Sequence, residues 1–145
     1  MSEAKKVDSK AKAQIADLYI GVIKGLGFDP KVDSDGDVTF LNKEGLHVIA
    51  IIDADHKQFV RLTIPGIYDV NDASRLEILE SCNYSNRLSK GAKVYTPKSS
   101  KFVWVAYEVV LEELDAKSLE YTIDAGVHLM VAASARFLKN IKDAK

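Results

Sequence analysis

The chain is poor in the residues that mark secreted, metal-binding and membrane proteins. Cys82 is the only cysteine among 145 residues, so the chain can form no internal disulfide and no site that needs several thiolates. Continuous apolar stretches such as Val48–Ile52 are far shorter than the ~20 residues that span a bilayer. The polar, lysine-rich start from Met1 to Lys12 has no apolar h-region of a secretory signal. We therefore expect a cytoplasmic protein that does not enter membranes.

The chain also lacks an excess of either charge. Its 20 basic residues nearly balance 21 acidic ones, for a net charge of −1, so we expect neither nucleic acid nor an anionic membrane as a partner. Hydrophobic residues make up 47% of the sequence, which is ordinary for a globular domain. Residues 1–8 are expected to form a flexible leader, and residues 9–145 a single domain with a core of its own.

The hydrophobic pattern changes its period along the chain, from about four to two and back. Period-four segments predict helices that end near Leu26, run from Asn71 or Asp72 to Asn86, and span Ala116–Ile141. Alternating segments predict six strands, at Phe28–Val32, Val38–Lys43, Leu46–Ile52, Gln58–Ile64, Ala92–Thr96 and Phe102–Leu111. Short turns between consecutive strands indicate antiparallel pairing. The expected fold is α+β, an antiparallel meander with helices in the order α-β-β-β-β-α-β-β-α.

Two of the predicted strands are apolar on both sides. In Leu46–Ile52 both alternating sets are mostly apolar, and near the chain's end Phe102 and Trp104 alternate with Val103 and Val105. An antiparallel sheet with one dry face and one wet face normally alternates apolar and polar residues. Either the helices lie on both faces and all these side chains form a monomer core, or part of the second face meets another copy or another protein.

The segment Asp33–Asp37, with Glu44 at the twelfth position, resembles a calcium-binding loop. That loop needs glycine at its sixth position, which here is Val38, while Gly36 lies at the fourth. The pair Asp35-Gly36 is instead a strong hairpin signal. We expect a turn between two strands and no metal site, with metal sensing through the three aspartates as a weaker alternative.

No motif for catalysis or cofactor binding is present. The sequence has no G-x-S-x-G elbow, P-loop or G-x-G-x-x-G after a strand. Asp53, Asp55 and His56 lie together, but acidic residues are common in turns for conformational reasons. Cys82 lies on the predicted apolar face of a helix, where burial raises a thiol pKa and lowers its reactivity. We expect no enzyme activity, no catalytic residues, no cofactor and no metal.

The second predicted helix ends in two asparagines. Leu76, Leu79, Cys82 and Asn83 are expected to share its buried face. Asparagine is a poor helix former that closes helix ends and bonds nearby backbone. We interpret Asn83 and Asn86 as structural residues that fasten this helix end to the strand beginning near Ala92, and a role in ligand contact is the alternative.

The motifs along the chain resemble the type III secretion chaperone-like fold and, within it, the YbjN family of bacterial proteins assigned to sensory-transduction regulation. The resemblance covers roughly Lys12 to Ile141. It depends on four segments, namely Leu26–Phe28, Asp35–Val38, Cys82–Asn86 and Lys90–Tyr95. The entry to the last helix, Asp115–Ser118, lacks the glycine expected of the family. The resemblance implies a cytoplasmic bacterial protein, dimeric, that acts by binding, and it carries over no catalytic residues.

These observations predict a non-enzymatic protein-binding or regulatory module, chaperone-like, that acts as a homodimer and can hold a protein client. Phe102, Trp104 and Tyr107 are the candidate partner-binding residues, because large aromatic side chains often anchor interfaces. The alternative is a small-molecule sensor or an unrecognised enzyme with a pocket between sheet and helices.

Overall fold

A computed structural model of the chain describes residues 3–144, with side chains from Ser9 onward. The helices are α1 (Glu3–Gly25), α2 (Arg75–Leu88) and α3 (Ala116–Asp143), and a 3₁₀ turn at Val70–Asp72 precedes α2. The strands are β1 (Lys31–Val32), β2 (Val38–Leu41), β3 (His47–Ile51), β4 (Phe59–Asp69), β5 (Ala92–Tyr95) and β6 (Phe102–Val110). The predicted α+β class and the predicted element order are confirmed. None of the helices within residues 3–144 is long and apolar enough to cross a membrane.

The first helix begins earlier than its apolar pattern indicates. It starts at Glu3, inside the segment 1–8 that we expected to be a flexible leader, while Met1 and Ser2 lie outside the described residues. The physical reason is composition, since Glu3–Lys6 consists of strong helix formers.

All six strands form one antiparallel sheet in the order β1-β2-β3-β4-β6-β5. β4 is longer than predicted, because Pro65 and Gly66 do not end it. The register between β4 and β6 shifts between Ile64 and Tyr68, and this bulge absorbs the proline, which has no N–H to give to a ladder. As a result β4 pairs with β6 along almost its whole length and forms the centre of the sheet.

The N-cap of helix α2 is Ser74 and not the predicted Asn71 or Asp72. Ser74 and Glu77 have the residue types and spacing of a capping box, and here the Ser74 hydroxyl accepts from the N–H of Glu77 and donates to its carboxylate. The buried face carries Ile78 and Cys82, so the prediction that Leu76, Leu79 and Asn83 are buried with Cys82 was wrong. Those three side chains are exposed, because α3 and β5 approach the helix from the side of Ile78 and Ser85.

The three helices of the described chain pack on one face of the sheet. Inward-facing strand residues such as Val48, Leu62 and Val105 form a single core cluster with Ile23 of α1 and Ile123 of α3. On α3, Gly126 permits close approach, since a Cβ built there would lie 2.6 Å from Tyr107 Cδ1 and 2.9 Å from Leu62 Cδ1. The layout is therefore two-layered, with all helical cover on one side.

We predict that the Cys82 thiol of the folded chain reacts slowly with thiol reagents. Burial raises the pKa of Cys82 to about 11, from an ordinary value of 9.0. Since each pKa unit changes the thiolate fraction tenfold, labelling near neutral pH should be roughly 100-fold slower than in the unfolded chain. The check is the labelling rate with and without denaturing urea; equal rates would show that Cys82 is accessible in the native state.

Candidate functional site

The outward face of the sheet is largely apolar and carries no helix within residues 3–144. We call it the open face. Antiparallel partners point to the same side, so the pairs Ile49–Thr63, Thr63–Ala106 and Tyr95–Trp104 mark it across four strands. Its apolar side chains come from β3 to β6 and are Ile49, Ile51, Phe59, Tyr95, Phe102, Trp104 and Val110. The open face therefore carries apolar side chains where the solvent-facing side of an antiparallel sheet normally carries polar ones.

Burial on the open face falls from the centre outward. Thr63 and Ala106, which oppose each other at the sheet centre, are each only 1% exposed. Since no described helix lies above them, their cover comes from larger neighbours on the same face. Trp104 is half-buried, while Phe102 is 43% and Val110 72% exposed. Phe102 and Val110 lie at opposite ends of β6, and the large apolar side chains between them on this face are partly exposed. Exposed apolar surface on a sheet face often marks a contact site.

A cluster of three charged side chains crosses the middle of the open face. Glu108 Oε2 lies 3.3 Å from Arg61 Nη2, and its Oε1 meets Lys93 Nζ. Burial by itself would raise the pKa of Glu108, but the bonds and charges of Lys93 and Arg61 outweigh it and hold the pKa below its ordinary value. This cluster was not among the predicted sites, although Arg61 and Glu108 stand out in the sequence as single charges inside apolar strands.

The two cations of this cluster also lie against aromatic rings. The Arg61 guanidinium is 5.7 Å from the Phe59 ring centroid, and Lys93 Nζ is 5.5 Å from that of Tyr95. These distances fall within the range of cation–π attraction. The three charged side chains therefore have partners within the chain, both in each other and in two aromatic rings of the open face.

The structure separates the three aromatic residues that were predicted to bind a partner. Phe102 and Trp104 both point to the open face, two residues apart on β6. Tyr107 pairs with Leu62 and Ala92 and points to the other side, against Gly126 of α3. Only Phe102 and Trp104 are therefore placed to meet another molecule on the open face.

The two asparagines of α2 differ in their contacts. Asn86 Oδ1 accepts from the N–H of Val94 at 2.7 Å, and its Nδ2 donates to the Val94 carbonyl at 3.0 Å. The side-chain amide thus stands where a neighbouring strand would pair, and it occupies the outer edge of β5 at this position. Asn83 is exposed on the same helix.

We predict that Asn86→Ala lowers the free energy of unfolding by about 1–2 kcal/mol, because Val94 loses a donor and an acceptor at a buried position. Asn83→Ala is the matched control and should change it by less than about 0.5 kcal/mol. Urea denaturation of both variants provides the measurement. Equal losses would mean that the amide contact with Val94 contributes nothing specific.

The acidic segment Asp33–Asp37 forms the turn between β1 and β2, as the hairpin prediction requires. The three carboxylates come within 4.8 Å of one another. Two of the three, those of Asp33 and Asp37, have structural partners. Asp33 Oδ1 accepts from the N–H groups of Asp35 and Asp37. Asp37 Oδ1 accepts from the N–H of Ile52 at 2.9 Å and lies 3.1 Å from Lys12 Nζ. The turn therefore ties α1, β2 and the end of β3 together.

The second acidic turn is also held by its own backbone. Asp53 Oδ1 accepts from the N–H of Asp55 at 3.0 Å, and its Oδ2 lies 3.4 Å from His56 Nδ1. His128, on α3, directs Nδ1 to the Asp124 carbonyl at 2.7 Å. Cys82 is buried in α2.

The fold of this chain is similar to that of several solved structures, although no match is found by sequence. No known family profile matches the chain, and no curated protein matches it by sequence. Among solved structures, a chain of the HopA1–SchA chaperone–effector complex matches with a TM-score of 0.57 and 12% identity, over 93% of this chain and 99% of that one. A chain of the ExsC–ExsE complex matches with a TM-score of 0.55 and 12% identity, over 92% of both chains.

A third neighbour is an uncharacterized protein from Methanothermobacter thermautotrophicus. It matches with a TM-score of 0.61 and 13% identity, over 90% of this chain and 98% of that one. At these identities the likeness shows the fold. The chain has the type III secretion chaperone-like α+β fold, and the fold expected from its sequence motifs is confirmed. Membership of the YbjN family stays a prediction from those motifs.

Proposed function

We propose that the chain is a non-enzymatic protein-binding module, chaperone-like and cytoplasmic, and that it acts as a homodimer in the manner of a YbjN-type regulator. The observation that carries the proposal is the open face, where Phe102 is exposed and Trp104 is half-buried among apolar neighbours. Two structural neighbours come from a chaperone–effector complex and from the ExsC–ExsE complex, which favours a protein as the partner.

The energetic reason for a partner is that exposing the apolar side chains of the open face to water costs free energy. Fully burying one large apolar side chain is worth about 1.5–3 kcal/mol, and several such side chains lie side by side here. A second sheet laid against the first would bury them together, as in β-sandwiches, whose sheets pack about 10 Å apart. A second copy of the chain offers such a sheet, through a two-fold contact of the same face with itself.

The charged cluster is compatible with such burial. A charge that is buried without a partner strongly destabilises an interface, whereas Glu108 already lies against Arg61 and Lys93. The edge of β5 is occupied at Val94 by Asn86, so strand addition is blocked at that position. These contacts favour a partner that packs on the open face over a partner strand that extends the sheet at β5.

The test combines light scattering with fluorescence, since Trp104 is the only tryptophan. At tens of micromolar, size-exclusion chromatography with light scattering should give twice the chain mass. On dilution the Trp104 emission should shift to longer wavelength and become more accessible to a soluble quencher, in step with the fall in mass. A chain that stays monomeric at these concentrations would exclude the homodimer.

A ligand pocket between sheet and helices has less support. On the helical side, Tyr107 and Leu62 fill the space against Gly126, and buried side chains such as Ile123 and Met130 continue this layer along α3. This packing therefore does not favour a small-molecule sensor as a second function.

A further inference from the structure

A cleft of about 430 Å³ lies where the start of α2 meets the turn between β5 and β6. Three of its lining residues are apolar, namely Val70, Ile78 and Pro97. The others are two cations and three hydroxyl residues, namely Arg75, Lys98, Thr96, Ser99 and Ser100. None of these residues belongs to the open face, so the cleft is a separate surface of the molecule.

The lining of this cleft carries charge of one sign. Arg75, the first residue of α2, and Lys98, in the turn, are both exposed and can be reached from solvent. Among residues 9–144 no carboxylate lines the cleft, not even those nearest to Arg75 in the sequence, which are Asp72, Glu77 and Glu80. Two cations on one concave surface with no acid beside them favour an anion as the ligand.

The turn adds hydroxyl groups from a backbone conformation that serine rarely adopts. The Ser100 N–H donates to the Pro97 carbonyl at 3.1 Å and closes a β-turn, within which Ser99 has a φ of 64°. Glycine is the usual residue at such a φ because it has no Cβ. The Ser100 hydroxyl is bonded to the backbone of Phe102, whereas those of Ser99 and Thr96 have no hydrogen-bond partner within residues 9–144. These two hydroxyls are therefore available to a ligand.

We propose that this cleft binds an organic phosphate, a phosphomonoester with an apolar body, whose phosphoryl group lies between Arg75 and Lys98. A phosphomonoester carries a charge of about −1.5 to −2 near neutral pH, which two cations match better than they match a carboxylate. A guanidinium binds two phosphate oxygens through paired N–H groups, and hydroxyls can donate to the remaining oxygen.

The size of the cleft fits a phosphate that carries a further group. Its volume lies within the ~300–1,000 Å³ of small-ligand sites, which is more room than a bare phosphate ion fills. Val70, Ile78 and Pro97 supply apolar contacts for the rest of the ligand. The inference goes beyond the proposed function, because this site would hold a ligand in addition to any protein partner on the open face.

The probe is phenyl phosphate, and benzoate and inorganic phosphate are the matched controls. Benzoate keeps the ring with a single negative charge, and inorganic phosphate lacks the ring. Titrated into the ¹⁵N-labelled chain, phenyl phosphate should shift the backbone signals of Ser99 and Ser100 and the side-chain Nε–H signal of Arg75. We expect a dissociation constant on the order of 1 mM, as for other ligands of this size. Each control should bind at least fivefold more weakly.

Two variants test the cations. Arg75→Gln and Lys98→Gln each remove one positive charge and should each weaken phenyl phosphate binding at least fivefold. Lys90→Gln is the matched control, because Lys90 is an exposed lysine at the other end of β5 and does not line the cleft. It should change binding less than twofold. Circular dichroism of each variant verifies that the fold is retained.

A third variant separates binding from stability. Ser99→Gly removes a hydroxyl and places glycine at a φ of 64°, which suits it better than serine. The variant should therefore unfold at a higher urea concentration than the parent and yet bind phenyl phosphate at least twofold more weakly. A purely structural role of Ser99 would leave binding unchanged.

An N-acetyl-phosphotyrosine methylamide distinguishes two sources of the same chemistry. Binding tighter than that of phenyl phosphate would indicate a phosphorylated protein segment, and binding no tighter would indicate a free phosphate ester. Three outcomes would overturn the inference: no shift at tens of millimolar, a control ligand that binds as well as phenyl phosphate, or cleft variants that bind as tightly as Lys90→Gln. These outcomes do not depend on the homodimer, because the cleft and the open face share no residue.

Discussion

Replacing Trp104 with aspartate should convert the proposed homodimer to a monomer and leave the fold intact. Trp104 lies half-buried on the open face beside Tyr95, so a carboxylate there remains in contact with water in the monomer. In a dimer the same carboxylate would be buried against apolar surface, without a partner. We expect the dimer dissociation constant to rise by at least 100-fold, as for an interfacial hot spot. The free energy of unfolding of the monomer should fall by only about 1–2 kcal/mol.

The measurement is light scattering across a concentration series, with urea denaturation of the monomer alongside. Tyr121→Asp is the control, because Tyr121 is an aromatic residue that is 78% exposed on α3, away from the sheet. It should change neither mass nor stability appreciably. A Trp104→Asp chain that keeps both its dimer and its fold would remove this residue from the interface.

Replacing Gly126 with valine should lower the free energy of unfolding by about 3 kcal/mol. The new Cβ would lie 2.6 Å from Tyr107 Cδ1 and 2.9 Å from Leu62 Cδ1, which is closer than carbon atoms approach without a shift. Neither neighbour can yield easily, because Leu62 is fully buried and Tyr107 is enclosed between Gly91 and α3. Helix α3 would have to move away from the centre of the sheet.

Gly21→Val is the matched control. Gly21 lies in α1 with open space around it. A Cβ built there meets nothing within 4 Å, and valine slightly favours helix over glycine. The same substitution should therefore stabilise the chain by a few tenths of a kcal/mol at Gly21 and destabilise it at Gly126. Thermal or urea unfolding of both variants measures the change in the free energy of unfolding. A Gly126→Val chain as stable as the parent would show that α3 does not pack so closely on the sheet.

The candidate site illustrates how far residue patterns reach. The absence of alternation in the last strand correctly indicated an apolar second face, and Phe102 and Trp104 do lie on it. Tyr107 stands on the opposite side by the same alternation, so grouping it with Phe102 and Trp104 joined residues that a strand must separate. Arg61 and Glu108 could be seen as single charges in apolar strands, but their pairing required the register of β4 against β6.

Other features could not be reached from local patterns. The apolar residues of α2 are compatible with two buried faces, and only the approach of α3 and β5 chose Ile78 and Cys82 over Leu76 and Leu79. Pro65 and Gly66 ordinarily end a strand, yet a bulge carries β4 past them because β6 continues to pair beyond Ile64. In both cases tertiary packing overrode a local preference.

By itself the sequence determined the order of helices and strands, the hairpin turn at Asp33–Asp37 and the surplus of apolar residues in the sheet. These follow from periodicity and turn chemistry, which act between residues close in the chain. Only the tertiary structure decided that all the described helices take one face, that Phe102 and Trp104 stay outside them, and that Arg75 and Lys98 line one cleft. These depend on contacts between residues far apart in the chain, which no local pattern encodes.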